Sequence, residues 1–244
     1  MFIGNKLLQF EQVSSTNDIA WQYAGDEGSN GLVVIADEQL AGRGRRGDAW
    51  LSPPGSALYL SMLLHPDVSC RHPVMLTIWA GLGVCSMIER TLSIKPQLKW
   101  PNDVFIDGKK VCGILVEQRL DWFVVGVGLN LAIPPQHFQA AGIHHAVSLQ
   151  EFTDLPLNHL EVFDHLKTEW IQLYTELISG NHSRLLELWQ EYSGLLGKAV
   201  QLEASGKVWF GLIRHLNWDT IVLEVDGNQT SFQPQAVTKL QIIT

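Results

Sequence analysis

A short stretch rich in glycine and arginine carries the clearest chemical signal in the sequence. Residues 42–47 read GRGRRG, so Arg43, Arg45 and Arg46 alternate with three glycines. Guanidinium groups are planar donors that fit the oxygens of carboxylates and phosphates. Three of them this close together repel one another until an anion arrives, and the glycines leave the backbone free to rearrange. The pattern predicts a loop that becomes ordered around a ligand with several negative charges.

The same glycines match G-x-G-x-x-G, the pattern of dinucleotide-binding turns, but their context does not fit that fold. Such a turn follows its strand directly and opens a helix, whose N-terminus holds the pyrophosphate. Here residues 38–41 come between the apolar part of the predicted strand and the glycines, and Pro53 and Pro54 follow, which cannot lie inside a helix. A dinucleotide-binding turn is therefore not expected. From composition alone, a solvated surface loop is the plain alternative.

The composition of the chain excludes several other classes of function. It has 244 residues and a formal net charge of −8, which argues against a general nucleic-acid binder. No apolar run approaches the ~20 residues that cross a bilayer, and the first residues lack the pattern of a secretory signal. The cysteines are odd in number and far apart, and the histidines lack the spacing of metal ligands. We therefore expect a cytoplasmic protein with no membrane contact, disulfide framework or metal site built by protein alone.

The hydrophobic patterns predict an α+β fold in two parts. Residues 1–194 are expected to form a mixed domain with a mainly antiparallel sheet, and residues 195–244 a small β-barrel, because short strands there alternate with turn residues. Within the first domain the patterns predict helices at 13–24, 72–93, 157–179 and 182–193, strands at 31–39 and 56–65, and consecutive antiparallel strands from 101 to 131. Asp107-Gly108 predicts a two-residue hairpin turn in the last of these segments.

Five segments then occur in a fixed order along the chain. They are SSTN at 14–17, EQLAGRGRRGDAWLSP at 38–53, KWPNDV at 99–104, GKKVCGILVE at 108–117 and VGVGLN at 125–130. Together they closely resemble the catalytic domain of the biotin–protein ligases, from about residue 10 to the C-terminus. The resemblance implies the catalytic fold shared by biotin and lipoate ligases, followed by an SH3-like barrel. Some members also carry an N-terminal helix-turn-helix domain. This chain begins almost at the catalytic domain, so neither DNA binding nor transcriptional repression is expected.

The resemblance implies a ligase reaction in two steps. Biotin and ATP give biotinyl-5′-AMP and diphosphate, and the biotinyl group then passes to one lysine of a biotin carboxyl carrier protein, a subunit of acetyl-CoA carboxylase. Mg²⁺ is expected to accompany ATP. The first step brings a carboxylate onto a triphosphate, so it needs cations to offset the repulsion. The second needs an anhydride protected from water, which a closing arginine–glycine loop would provide.

The resemblance also assigns roles to individual residues. The expected catalytic residues are Arg43, Arg45, Lys110 and Asp103. Biotin is expected to contact Ser15, Thr16, Asn17, Gln39, Gly42, Arg43, Arg45, Lys110, Gly113 and Gly126. ATP and the adenylate are expected to contact Arg45, Arg46, Trp50, Lys99, Asn102 and Asn130. Ala146 lies about where some relatives have a tryptophan stacked on adenine, so the adenine contact must differ or be weaker.

Several of these assignments have plain structural alternatives. Ser15 and Thr16 are suitable helix caps, and Trp50 would equally suit a protein core. Asp103 is either the group that orients or deprotonates the acceptor lysine, or a turn residue. Only the resemblance separates Lys110 from Lys109.

Two other functions stay open at this point. Lipoate and octanoate ligases share the catalytic fold, although GRGRRG and KWPND fit the biotin branch better. A non-catalytic module that binds anions or nucleotides would use the loop without the lysine and aspartate set. The sequence does not determine the oligomeric state, and a homodimer is one alternative.

Overall fold

The structure is a computed structural model that describes residues 3–45, 50, 52–180 and 182–243. A seven-stranded sheet contains β1 (Leu7–Val13), β2 (Val33–Gln39), β3 (Ala57–Leu64), β4 (Gln97–Lys99), β5 (Asp103–Ile106), β6 (Lys109–Arg119) and β7 (Trp122–Asn130). A five-stranded sheet contains β8 (Ala199–Ala204), β9 (Lys207–Leu216), β10 (Ile221–Val225), β11 (Asn228–Phe232) and β12 (Val237–Ile242). The helices are α1 (Thr16–Trp21), α2 (Pro73–Leu92), α3 (Pro135–Ala140), α4 (His159–Ile178) and α5 (Ser183–Ser193).

The larger sheet has the strand order β1-β2-β3-β7-β6-β5-β4. Only the β1–β2 pair is parallel, and the other neighbours are antiparallel. β3 lies near the centre and is buried along its whole length, because helices cover both faces. Leu63 points towards α1, whereas Leu60 and Met62 point towards the core beneath α2 and α4. The expected mixed, mainly antiparallel sheet with helices is confirmed.

Most of the expected elements are present, and two were missed. The hairpin turn between β5 and β6 has Asp107 and Gly108 both at positive φ, as a two-residue turn requires. The sequence did not predict β1, an edge strand whose burial alternates only weakly and whose partner β2 lies far along the chain. Nor did it predict α3, a six-residue helix that begins at Pro135 within a stretch interpreted as irregular.

Helices α2 and α4 approach closely at Gly83, where an added Cβ would overlap the indole of Trp170. Each indole at this crossing donates to the facing helix: Trp170 Nε1 to Ala80 O at 3.0 Å, and Trp79 Nε1 to Trp170 O at 3.2 Å. The buried indoles thus have their polar atoms satisfied, as buried donors require. This helix pair packs against the face of the large sheet that lies opposite α1.

The C-terminal strands form a separate antiparallel sheet in the order β11-β10-β9-β8-β12. Three tryptophans connect it to the first sheet: Trp100 stacks on Trp189 of α5, and Trp189 stacks on Trp218, with ring centroids 6.1 and 6.4 Å apart. Trp100 Nε1 also donates to Val237 O at 3.2 Å, where β12 begins. Because one hydrophobic core contains residues of both sheets, a division into domains at residues 194 and 195 stays a prediction. Among the described helices, none is long and apolar enough to cross a membrane.

Candidate active site

A cleft of about 750 Å³ opens between the large sheet, the arginine–glycine loop and β12. It brings together residues that the sequence spreads over most of the chain. The expected site residues that line it are Ser15, Thr16, Asn17, Gln39, Arg43, Arg45, Trp50, Lys99, Asn102, Asp103, Lys110, Gly113, Gly126 and Asn130. Gly42 lies beside the cleft, where an added Cβ would stand 3.0 Å from Gln39 Nε2. Arg46 lies outside the described residues.

One end of the cleft is neutral and rich in hydrogen-bonding groups. Ser15 is the N-cap of α1, but its side chain makes no capping hydrogen bond, so capping is not how its hydroxyl is used. Thr16 donates to Gln39 Oε1 from both its backbone N, at 2.8 Å, and its Oγ1, at 3.1 Å. These contacts fix the start of α1 against the end of β2, although the two segments are distant in sequence.

Behind these residues lies Ser61, which the sequence analysis did not single out. Its hydroxyl contacts Thr16 Oγ1 at 2.7 Å and Asn17 Oδ1 at 2.6 Å. The side chain of Asn17 lies over Gly126, which has no room for a Cβ, and Asn17 Nδ2 is buried without a partner. The available signal was a single serine within the otherwise hydrophobic run LYLSMLL of β3.

The side chain of Arg43 contacts carboxylates of the protein itself. Its Nη2 donates to Asp18 Oδ1 at 2.7 Å and its Nη1 to Asp18 Oδ2 at 3.1 Å, while Nε and Nη2 reach Glu117 Oε1 at 3.3 and 3.1 Å. The hydrogen bond from Arg43 lowers the pKa of Asp18, and the same bond raises the pKa of Arg43. Glu117 also accepts from Trp21 Nε1 at 2.8 Å. This arrangement favours a structural anchor over direct contact with a ligand, and sequence reasoning missed both carboxylates.

The arginine–glycine loop closes on itself at its two ends. Trp50 N donates to Gly42 O at 3.0 Å, and a Cβ on Gly42 would stand only 2.9 Å from Trp50 O. Residue 42 therefore has to be glycine for the ends to approach this closely. Arg45 lies between these ends and lines the cleft.

Trp50 lies on the floor of the cleft, where its indole packs directly on two glycines. Gly113 and Gly128 are directly opposite each other on β6 and β7, and a Cβ on either would come within 2.6 or 2.8 Å of the indole. The ammonium of Lys110 lies 5.0 Å from the ring centroid, within the range of a cation–π contact. Trp50 is partly buried and borders the cleft, so it is not an ordinary core tryptophan.

Lys110 and Asp103 form an ion pair at the other end of the cleft. Lys110 Nζ lies 2.7 Å from Asp103 Oδ1, and each side chain is 25% exposed. The backbone of Lys110 is fixed by bonds to His145 O, at 2.7 Å, and from Val147 N, at 2.9 Å. Lys109 is exposed and lies outside the cleft lining, so the structure separates the two lysines that follow the hairpin turn.

Two asparagines expected near ATP donate to backbone carbonyls of the protein. Asn102 Nδ2 donates to Ile114 O at 2.7 Å, and Asn130 Nδ2 donates to Val147 O at 3.0 Å. Lys99 Nζ lies 4.5 Å from the centroid of the Phe105 ring, and its side chain lines the cleft. The two amides therefore shape the walls, while Lys99 adds a positive charge.

Additional lining residues were not expected from the sequence. Phe138 and Ile143 lie beside Ala146 and give this wall an apolar surface. Lys239 and Gln241 reach the cleft from β12. Within the described parts of the chain, no three side chains of the His, Cys, Asp or Glu type lie close enough together to hold a metal ion.

The chain resembles known proteins in sequence over most of its length. The model of the biotin/lipoate A/B protein ligase family matches residues 9–131, half of the chain. The chain belongs to this family. A biotin–[acetyl-CoA-carboxylase] ligase of Paracoccus denitrificans is 30% identical over 198 residues, which cover 78% of this chain and 81% of that protein. The bifunctional ligase/repressor BirA of Bacillus subtilis is 28% identical over 214 residues, which cover 86% of this chain and 66% of BirA.

A solved biotin protein ligase has the same fold as this chain. The biotin protein ligase of Aquifex aeolicus, solved in complex with biotin and ATP, superposes with a TM-score of 0.82 and 26% identity. The match covers 98% of this chain and 100% of the Aquifex chain. It therefore includes the C-terminal sheet as well as the large sheet, and the arrangement of both belongs to the family of solved ligases.

Proposed function

We propose that this protein is a biotin–protein ligase. It activates biotin with MgATP to biotinyl-5′-AMP and transfers the biotinyl group to a lysine of a biotin carboxyl carrier protein. The membership of the family, the ligase names of its relatives and the Aquifex complex with biotin and ATP support this function. Mg²⁺ enters with ATP as part of the substrate.

The observation that carries the proposal is the spacing of the two ends of the cleft. Gly126 and Gly128 lie on the same face of β7, with Asn17 over the first and Trp50 over the second. Two residues along a strand span about 7 Å. A short aliphatic chain bridges that distance, so one ligand can place a neutral polar ring against Asn17 and a carboxylate near Lys110. Biotin has this shape and charge pattern.

In the first step, an oxygen of the biotin carboxylate attacks the α-phosphorus of ATP. A carboxylate–phosphorus bond forms, the bond to diphosphate breaks, and no proton is transferred. Lys110 offsets the negative charges that meet, and it also stabilises the acyl phosphate that results. Lys99 and Arg45 line the same region and supply further positive charge for the triphosphate. Asp103 holds the Lys110 ammonium in place before the substrates arrive.

In the second step, the acceptor lysine attacks the acyl carbon and AMP leaves. The amine must first lose a proton, because a lysine is mostly protonated at neutral pH. Asp103 lies beside Lys110, so it is the carboxylate in the right place to orient this amine and receive its proton.

Cys70, Cys85 and Cys112 are free and buried, as a reducing cytoplasm would keep them, and we propose that compartment for the reaction.

Exchange of labelled pyrophosphate into ATP tests the proposal, with biotin or lipoate as the acid and no carrier present. We expect exchange that depends on biotin. Exchange with lipoate alone would assign the protein to the lipoate branch of the family. Folded protein that gives no exchange with either acid would instead indicate a module that binds anions without activating an acid.

The transfer step needs a second experiment. A carrier domain incubated with the protein, biotin and ATP should gain one biotinyl group, measured by mass spectrometry. A carrier with its acceptor lysine replaced by arginine should gain none. Modification of other lysines to the same extent would show that the adenylate escapes and reacts in solution.

A further inference from the structure

A row of directly opposed residues crosses four strands of the large sheet at the floor of the cleft. Its members are Lys99 on β4, Asp103 on β5, Gly113 on β6 and Gly128 on β7, and all four line the cleft. Directly opposed residues of antiparallel strands point to the same face, with Cβ atoms about 4.5–5.5 Å apart. Trp50 covers the two glycines, so the row leaves Lys99 and Asp103 side by side beyond the indole.

Asp103 is paired with Lys110 by charge rather than by a directed hydrogen bond. Lys110 Nζ lies 2.7 Å from Asp103 Oδ1, yet this buried oxygen accepts no hydrogen bond from any described residue. The strong ion pairs of proteins are those in which the cation also donates in line to the oxygen. Lys110 therefore gives up little at Asp103 when its ammonium turns towards the oxygens of an acyl phosphate.

Lys99 is a second cation within reach of the same carboxylate. It is exposed, its Nζ lies 4.5 Å from the centroid of the Phe105 ring, and it forms no ion pair with a described carboxylate. Phe105 is two residues along β5 from Asp103 and therefore faces the same side. A lysine has a flexible four-carbon stem, so the ammonium of Lys99 can turn from the ring to the carboxylate opposite it.

We propose that Lys99 is a positioning residue of the transfer step, which takes the place of Lys110 beside Asp103 when Lys110 turns to the adenylate. This inference rests on the proposed function, in which diphosphate has left before the transfer begins. The departure of diphosphate frees Lys99 from the triphosphate to which it supplies charge in the first step. Lys99 therefore has a different partner in each step, the triphosphate in the first and Asp103 in the second.

The charge of Asp103 decides whether it can accept a proton. In the transfer step the acceptor amine gives its proton to Asp103, its nitrogen forms a bond with the acyl carbon, and the bond from that carbon to AMP breaks. A carboxylate that faces the adenylate phosphate with no cation beside it is driven towards its neutral form, because like charges disfavour ionisation. A neutral Asp103 could accept no proton. The ammonium of Lys99 keeps this carboxylate charged and holds it in place for the amine.

Transfer from a preformed adenylate to a carrier domain tests the inference in a single turnover. Each variant is loaded with synthetic biotinyl-5′-AMP, so a defect in the first step does not enter, and biotinylated carrier is measured by mass spectrometry. We expect Lys99→Met, which removes the charge and keeps most of the stem, to slow the transfer about 10-fold or more. Lys109→Met is the matched control and should stay within about 2-fold, because Lys109 lies opposite Ile106 and outside the cleft lining. An unchanged rate for Lys99→Met would overturn the inference.

A double-mutant cycle separates action through Asp103 from a direct contact of Lys99 with the phosphate of AMP. In the Asp103→Asn background, Lys99→Met should change the transfer rate by less than about 2-fold, since the partner of Lys99 is already uncharged. A loss of about 10-fold in both backgrounds would show that Lys99 acts independently of Asp103, and the inference would then be wrong.

A variant that retains the charge completes the test. Lys99→Arg should transfer within about 3-fold of the wild-type rate, because the positive charge remains beside Asp103. A rate as low as that of Lys99→Met would contradict a role for the charge. If the wild-type protein loaded with the adenylate does not biotinylate the carrier, then the proposed function fails. If the wild type transfers normally and Lys99→Met matches it, only the role of Lys99 fails.

Discussion

At the scale of single residues, the arginines of the loop differ in what they contact. Arg43 donates to two carboxylates of the protein, Asp18 and Glu117, and this anchors the start of the loop to α1 and β6. Arg45 lines the cleft. The sequence pattern treated these arginines alike, because residue type alone does not show which charges are already paired within the protein.

The anchor predicts a pH-dependent contribution of Asp18 to stability. Its pKa is lowered in the folded protein by Arg43, so the contribution is present above the usual value of 3.8 and is lost as the pH falls through the folded value. The Asp18→Asn variant should be less stable than the wild type at pH 7, by about 0.5–1 kcal/mol, since the side chain is 41% exposed. The difference should shrink below pH 3.8.

Urea unfolding at several pH values measures this effect. The Asp164→Asn variant is the control, because it removes a carboxylate that pairs with Lys167 within the exposed surface of α4. A stability difference for Asp18→Asn that stays constant down to pH 3 would contradict the anchor.

The two lysines after the hairpin turn provide a matched pair of substitutions. We expect Lys110→Ala to lower biotin-dependent pyrophosphate exchange by about 100-fold or more, because one preorganised positive group at the reacting oxygens is removed. Lys109→Ala should leave the rate within about 2-fold, since Lys109 is exposed outside the cleft lining. Similar rates for both variants would be evidence against the role of Lys110.

At the scale of elements, β7 forms the floor under both ends of the proposed biotin site. Gly126 and Gly128 face the same side, and each gives room to a different side chain, Asn17 or Trp50. A strand with two such positions is a flat platform, and glycine is needed there for close approach rather than for backbone conformation.

Alanine substitutions on this strand should therefore separate the two substrates. Gly126→Ala pushes Asn17 aside, so we expect the KM for biotin to rise about 10-fold with little change for ATP. Gly128→Ala pushes Trp50 aside at the end where the biotin carboxylate meets ATP, so the KM values for ATP and for biotin should both rise by a similar factor. Steady-state kinetics with each substrate varied in turn measures both constants. If Gly126→Ala also raised the KM for ATP about 10-fold, the two ends would not be assigned correctly.

The elements also show which parts of the fold local sequence can predict. The turn at Asp107 and Gly108 identified the β5–β6 hairpin, because its backbone requirements lie within two residues. By contrast, β1 pairs in parallel with β2 across the whole of α1, and no local pattern encodes such a partner. The same limit applies to the site. Matching motifs indicated Thr16 and Lys110, whereas Ser61 and Glu117 contact site residues that only the folded chain brings close.

At the scale of the whole molecule, the two sheets share one core. Trp189 stacks between Trp100 of the first sheet and Trp218 of the second, and the apolar residues of β8 and β9 continue the same cluster. We therefore expect a single cooperative unfolding transition, with the same urea midpoint by circular dichroism and by tryptophan fluorescence. Two separated transitions would indicate that residues 195–244 unfold as an independent domain.

The position of β12 in the cleft also has a consequence for the timing of activity. Among the described residues, Ser15 is the first of the cleft wall along the chain and Gln241 is the last, so residues 15–241 must all be synthesised before the wall is complete. A nascent chain still on the ribosome has its early motifs but not Lys239 or Gln241 in place. We expect such a chain to remain inactive, and to consume no ATP, until β12 has emerged.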